Sequence, residues 1–289
     1  MYDLTDTFIH YNWMCSVADH TLDYSSDFYR SIGVSRLCEN KDLTNIEQIK
    51  DGDLIFVKTD YLKNRVFQTQ IMPSITVRFS IISGCSSYTI DDYMSVINNP
   101  NLMKWYCTNP PMRHDKVVGL PIGFEEKERA GGDQKIIQDC FYSTHNNKKD
   151  KILLPYHTIS NNPDRAAAIN HLKSLSIVEV QDEKLSFKEY LDLLSEYKWC
   201  ICLEGAGYDT HRNYECLLAH TIPIMLDTNV RIIYEDWKLP CVFVDSWRSI
   251  TESFLTENEY PECNLLDIGR FLKTKSHMEI IEKNEKELS

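Results

Sequence analysis

The sequence predicts an α/β chain built on parallel sheets, and three observations carry that prediction. Short, fully apolar runs alternate with helix patterns through the C-terminal half. The same style recurs, less regularly, between residues 53 and 123. The 289 residues suit two domains of about 100–150 residues each. Strands apolar along their whole length, separated by helices, belong to a sheet covered on both faces.

In the C-terminal half, Lys151–Tyr156 (KILLPY) reads as a strand that runs into a polar loop, His157 to Asn162. Asn162-Pro163-Asp164 is a helix start: an N-cap, a proline at the first helical position and an acid in the first turn. Ile177–Val180 is a second strand. Ser186 and Glu189 form a capping-box pattern ahead of a helix with Tyr190, Leu193, Leu194 and Tyr197 at helical spacing. Trp199–Leu203 (WCICL) is a third strand, followed by a glycine-bearing loop and a helix over 210–220. Thr221–Leu226 and Val242–Val244 complete the series. The result is a Rossmann-like domain.

The N-terminal half yields strands at Asp53–Lys58, Val77–Ile82, Lys104–Cys107 and Val117–Leu120, with a helix over 61–72. Residues 124–150 turn polar and charged and read as a linker. The expected division is therefore 1–147, an N-terminal Rossmann-like domain, and 148–265, a second one, with 266–289 a C-terminal helix packing back on the first domain. The aromatics of the first forty residues (Tyr2, Phe8, Tyr11, Trp13, Tyr24, Phe28, Tyr29) fit edge helices on a core or the lining of an acceptor groove. Trp105, Trp199, Trp237 and Trp247 read as core or interdomain aromatics.

Apolar residues make up 43% and charged residues 26%, which excludes a disordered chain. The net charge of −12 does not suit tracking a nucleic-acid backbone or an anionic membrane. It leaves room for a local cationic pocket. The acidic start, with no apolar stretch behind it, predicts no signal peptide. No run approaches the roughly 18 apolar residues of a membrane span, and a cytoplasmic protein is expected. The ten cysteines include no CxxC pair and no clustering at metal-ligand spacing, so they read as reduced core thiols, with no metal site expected.

Ligands in open parallel sheets sit beyond the carboxyl ends of the strands. Two loops there carry candidates: 157–165, with Ser160, Asn162 and Arg165, and 204–215, with Gly205, Gly207, Asp209, Thr210, Arg212 and Glu215. Glycines let a ligand approach the backbone, and a helix start offers free N–H groups to a phosphate. Arg212 and Glu215 lie at i and i+3 on one face. They read either as an exposed ion pair or as a phosphate ligand beside a ribose ligand. An arginine in a first turn opposes the helix dipole, which a bound anion offsets. Arg165 sits likewise at the start of another helix, so two arginines suggest a diphosphate clamp. Asp209 is open to two readings, donor contact or helix cap.

The stretch Leu203 to Leu218, with its DTHR at Asp209–Arg212 and Glu215 three residues on, then Thr221-Ile222-Pro223-Ile224, resembles the nucleotide-sugar motif of exostosin-like glycosyltransferases. The similarity extends to the helix at Ser186 and the segment Asn162–Arg165. More loosely it takes in Gly52–Asp60 and Trp105–Gly123, so it spans roughly residues 50 to 247. Such enzymes occur in bacteria and large DNA viruses. Two positions depart from the pattern: His220 stands where a glycine is common, and Ala206 replaces an asparagine or glycine.

The resemblance implies a GT-B fold, with the nucleotide in the C-terminal domain, the acceptor facing the N-terminal one and the reaction in the cleft. It also implies a UDP-sugar donor and inversion at the anomeric carbon. Arginines in place of a metal would hold the leaving diphosphate, with no cofactor beyond the co-substrate. The Asp-x-Asp at Asp51–Asp53 precedes its strand and reads as a turn, whereas a metal-binding one follows a strand. Asp60 is the favoured base, with His114, Glu125 and Asp133 as rivals. The acidic surface favours a neutral glycan or glycoprotein acceptor. A non-catalytic nucleotide-sugar-binding module and a nucleotide-dependent enzyme of another class are the competing readings. No GxGxxG follows a strand, which argues against a dehydrogenase.

Overall fold

The computed structural model describes residues 7–10, 13–23, 43, 45–86, 89–143, 147–157, 163–205, 207–261 and 264–288. The chain divides into two compact units, Met1–Ile122 with Thr274–Ser289, and Gly123–Lys273. Each holds one five-stranded sheet, and every strand pair in both sheets is parallel. The α/β class and the two Rossmann-like sheets are those the sequence predicts.

The first unit runs α1 (Trp13–Val17), β1 (His20–Leu22), β2 (Asp53–Lys58), α2 (Thr59–Lys63), β3 (Phe79–Gly84), α3 (Tyr93–Ile97), β4 (Leu102–Cys107) and β5 (Val117–Gly119). The strands lie in chain order, β1 to β5. Every residue of β3 is buried, as a central parallel strand requires. Strand β1 escaped the sequence reading because three residues carry no period. It pairs with β2, and its His20 imidazole lies 2.8 Å from Asp53.

The helix expected over 61–72 is broken. Helix α2 stops at Lys63, and Arg65 takes a left-handed conformation (φ 60°), which ends a helix. A single wide turn, Phe67–Ile71, and a 3₁₀ turn containing Pro73 follow. The Asp51-Gly52-Asp53 motif is a turn entering β2: Gly52 has φ 89°, Asp51 pairs with Arg78 at 2.6 Å, and Asp53 accepts from the Lys50 amide. Of the early aromatics, Phe8 and Trp13 are core residues. Tyr2, Tyr11, Tyr24, Phe28 and Tyr29 lie outside the described residues.

The second unit runs α4 (Gln134–Phe141), β6 (Lys149–Leu154), α5 (Pro163–Lys173), β7 (Val178–Val180), α6 (Phe187–Ser195), β8 (Tyr197–Ile201), α7 (His211–Leu218), β9 (Ile222–Leu226), α8 (Arg231–Trp237), β10 (Val242–Val244), α9 (Phe254–Glu257) and α10 (Leu265–Phe271). The capping box at Ser186 is formed: its hydroxyl accepts from the Glu189 amide, and the Glu189 carboxylate accepts from the Ser186 amide. Trp199 and Trp247 are buried, and the half-buried Trp237 meets Phe271 edge-on at 5.3 Å. In the first unit Trp105 is buried too.

Strand order is β10-β9-β8-β6-β7. From β6 the chain winds outward to β7, then returns to build β8, β9 and β10 on the other side. The direction of winding reverses between β6 and β8, and the loops leaving these two strands diverge there. That reversal is where open α/β sheets bind ligands.

Residues 124–150 belong to this second unit, and the chain divides at Ile122/Gly123 rather than at 147/148. The polar composition conceals a folded helix. Asp133 caps α4 by accepting from the Lys135 and Ile136 amides at 2.9 and 3.1 Å, and Phe124 and Ile137 are fully buried. A side chain at Gly132 would come within 2.0 Å of the Glu126 carbonyl oxygen. Gly123, at φ 70°, takes the turn at the division.

The C-terminal segment is split between the units. Phe271 of α10 stacks on Tyr214 in the second. The last helix, α11 (Thr274–Leu288), belongs to the first: its Glu285 accepts from the Tyr106 hydroxyl at 2.7 Å and from Ser80 at 2.9 Å. No helix among the described residues is long and apolar enough to cross a membrane.

Candidate functional site

At the winding reversal of the second unit, β6 leads through Pro155 and Tyr156 to His157. Beyond β8, Cys202-Leu203-Glu204 lead into the loop before α7. His157 Nδ1 lies 2.5 Å from the Pro155 carbonyl oxygen, and its Nε2 contacts Arg212 Nη1. A carbonyl only accepts and a guanidinium only donates. The imidazole is therefore neutral, with its proton on Nδ1. Burial holds its pKa down at about 3, and the nearby charges of Arg212 and Arg165 act in the same direction.

Arg212, in the first turn of α7, donates through Nε to the Tyr190 hydroxyl at 3.2 Å and through Nη2 to the Tyr156 carbonyl at 3.2 Å. With His157 this makes three neutral acceptors. Among the described residues Arg212 forms no ion pair with a carboxylate. Arg165, in the first turn of α5 and only 8% exposed, donates to the Glu204 carbonyl. Burial pulls its pKa below the ordinary guanidinium value, Glu204 opposes that, and the charge of Arg212 adds to it. The two arginines expected as a clamp thus feel each other, and His157, at one edge of one sheet. Like charges brought together in a partly dry place favour an incoming anion.

Glu215, one turn beyond Arg212, is buried. Burial raises its carboxyl pKa, while the charge of Arg212 restrains the rise. His157 and Tyr190 were not singled out from the sequence as site residues. The polar loop after β6 marked the place of His157, whereas Tyr190 was absorbed into a helix-core pattern.

The other expected residues fare differently. The Asp209 carboxylate is 5% exposed and accepts from the Tyr214 hydroxyl at 2.6 and 2.7 Å and from Asn213 Nδ2 at 3.2 Å. Through these bonds it braces α7 from within. Thr210 is the N-cap residue of α7, but its hydroxyl donates to Asn213 Oδ1 rather than accepting from the backbone. The Gly205 amide donates to the Gly207 carbonyl, which tightens the loop and removes that N–H from the phosphate donors expected there. A side chain at Gly205 would meet only ordinary contacts, the nearest at 3.6 Å. Ser160, Asn162 and Ala206 lie outside the described residues. His220 has φ 55°, the left-handed region that glycine prefers, and its ring packs edge-on against Phe141 at 5.7 Å.

In the first unit, Asp60 occupies the first turn of α2, directly after β2, with Oδ2 3.9 Å from Lys58 Nζ. Of its rivals, Asp133 is spent on capping α4, His114 accepts from the Lys116 amide at 3.0 Å, and Glu125 lies 4.0 Å from Arg129.

A pocket of about 220 Å³, open mouth included, lies beyond β8 and β9, lined by Cys202, Glu204, Tyr208, Met225, Leu226, Thr228 and Val230. Trp247 Nε1 donates to Glu204 Oε2 on the same side at 3.2 Å. Behind it, Cys200, Cys202 and Cys216 bring their sulfurs within 4.8 Å of one another. The sequence showed no such cluster because Cys216 stands fourteen positions from Cys202 and only the packing of α7 on the sheet joins them.

No protein-family model matches the chain, and no curated protein matches it. Among solved structures it is similar to the pneumococcal O-GlcNAc transferase GtfA in complex with UDP and GlcNAc, at 12% identity and TM-score 0.41, over 84% of this chain and 58% of that one. The Candida albicans trehalose-6-phosphate phosphatase N-terminal domain aligns at 11% identity and TM-score 0.44, over 86% and 74% of the two chains. An α1,3-fucosyltransferase aligns at 11% and 0.41, over 99% and 84%. The chain thus spans little more than half the length of GtfA.

Proposed function

We propose that this chain is an inverting, metal-independent glycosyltransferase of the exostosin-like kind, with a GT-B architecture. It works in the cytoplasm and moves a pentose or hexose, such as xylose, from a UDP-sugar to a hydroxyl of a neutral glycan or glycoprotein. The observation that carries this reading is the pair Arg165 and Arg212. Both sit at helix starts beside the winding reversal of one parallel sheet, and Arg212 is held there by neutral acceptors. Two guanidiniums in such a place match the two phosphates of a nucleoside diphosphate.

In the reaction so read, the acceptor hydroxyl attacks the anomeric carbon, the carbon–oxygen bond to the β-phosphate breaks, and UDP leaves with its new charge on Arg165 and Arg212. The proton of the hydroxyl passes to Asp60. His157 aims the Arg212 guanidinium without adding charge, and Glu215 takes the ribose hydroxyls. Arginine charge does here what a divalent ion does elsewhere.

The test is UDP release from a panel of UDP-sugars, with and without acceptor, in the presence of a chelator. Chelator-resistant turnover with one sugar is the expected result, and the anomeric configuration of the product then reports inversion. UDP binding without turnover on any sugar makes the chain a binding module, and turnover that requires an added divalent ion removes metal independence.

A further inference from the structure

The three-sulfur cluster plays no part in that reaction. Cys200 and Cys202 stand two residues apart at the end of β8 and so share one side of the strand, and Cys216 meets them from α7. Their relative exposures are 0%, 3% and 0%. Cys202 Sγ and Cys216 Sγ are 3.4 Å apart, well beyond the roughly 2.05 Å of a disulfide, and all three are free thiols.

The spacing suits a metal ion. With metal–sulfur bonds of about 2.3 Å, a trigonal centre sets its sulfurs roughly 4 Å apart, and this triangle, with one edge at 3.4 Å and none above 4.8 Å, brackets that value. Zinc takes a fourth ligand, yet no further His, Cys, Asp or Glu joins the group among the described residues. Sulfur-only sites of low coordination favour soft ions such as Cu(I). Cys202 also lines the pocket beyond β8 and β9, beside Met225, whose thioether is a second soft donor.

We propose that Cys200, Cys202 and Cys216 form a binding site for one soft monovalent cation of the Cu(I) class. Binding replaces the thiol protons, which pass to solvent, with metal–sulfur bonds and ties α7 to the end of β8.

The experiment titrates the reduced, metal-stripped full chain with Cu(I) under anaerobic conditions against a chromophoric Cu(I) chelator. One equivalent per chain leaves the chelator, the near-ultraviolet thiolate-to-copper absorption appears, and the melting temperature rises. Cys216→Ala and Cys202→Ala each weaken binding roughly 100-fold or more, while Cys140→Ser, outside the cluster, leaves it unchanged. X-ray absorption at the copper edge of the wild-type protein reports three sulfur neighbours, a result that does not depend on the variants folding. Failure of the folded, reduced protein to take copper from the chelator overturns the site. So does undiminished uptake by a folded Cys216→Ala protein, a first shell with fewer than three sulfurs, or preferential retention of Zn(II) in competition.

Discussion

Arg78, just before β3, and Arg212, in the helix after β8, are both arginines beside an end of a central parallel strand, one in each unit, and they are held in opposite ways. Arg78 grips the Asp51 carboxylate through Nη2 at 2.6 Å and through Nε at 3.2 Å, and donates to the Leu288 carbonyl. Its charge is cancelled where it stands. Arg212 is held as firmly, by Tyr190, His157 and the Tyr156 carbonyl, but none of these carries a negative charge. Nearby, Arg165 donates to another carbonyl. A cation tied to a carboxylate fastens the fold, whereas one whose hydrogen bonds all go to neutral acceptors, with Glu215 acting on it only as a nearby charge, keeps donors and field for something arriving from outside.

The contrast breaks most easily at Arg212. Arg212→Ala should weaken UDP binding roughly 100-fold, the worth of lost charge-assisted bonds, with little change in the melting temperature of the free protein. A variant that melts early yet still gains stability from UDP would show the arginine to be structural. Calorimetric titration and thermal shift together decide this.

His157→Leu removes the neutral acceptor and should weaken UDP about tenfold by letting Arg212 swing away. It also carries a pH signature. The unfolded imidazole titrates near 6.5 and the folded one at about 3, so the unfolded chain holds the extra proton between those values. The stability this group contributes is complete above about pH 6.5 and is lost as the pH falls toward 3, by up to about 1.4 kcal/mol per pH unit. Urea unfolding across that window should show a shallower acid slope in His157→Leu. An identical slope would separate the imidazole from the acid sensitivity.

Glu215→Gln is subtler. UDP should weaken about fivefold while pyrophosphate binds as before, because only the ribose contact is lost. Equal losses for both ligands would take the ribose role from Glu215. The smallest effect belongs to the other side of the comparison: Arg78→Ala should leave UDP affinity unchanged and lower the melting temperature only slightly, since both partners of its ion pair are solvent-exposed.

Much of this architecture was legible in the chain itself. The parts of a strand buried on both faces are apolar, so the apolar runs in KILL, WCICL and IPIML announce β6, β8 and β9 without reference to their neighbours. The Ser186 capping box and the first-turn arginines are local patterns, read within four residues. Where a polar surface covers a short helix, as over 124–150, composition misled: the Asp133 cap was a visible signal, but the burial of Phe124 and Ile137 was not. Arg65 offers no warning in the sequence of the left-handed turn that stops α2.

By itself, then, the sequence determined the period of each element and the residue at each helix start, because those depend on neighbours along the chain. Tertiary structure alone decided partnership. The order β10-β9-β8-β6-β7 carries the loop after β6 to the loop after β8, fifty residues on, and so sets His157 against Arg212. The packing of α7 turns Asp209 inward to Tyr214 and brings Cys216 to Cys202. Charge balance, burial and the reach of a side chain depend on distance in space, and distance along the chain does not encode it.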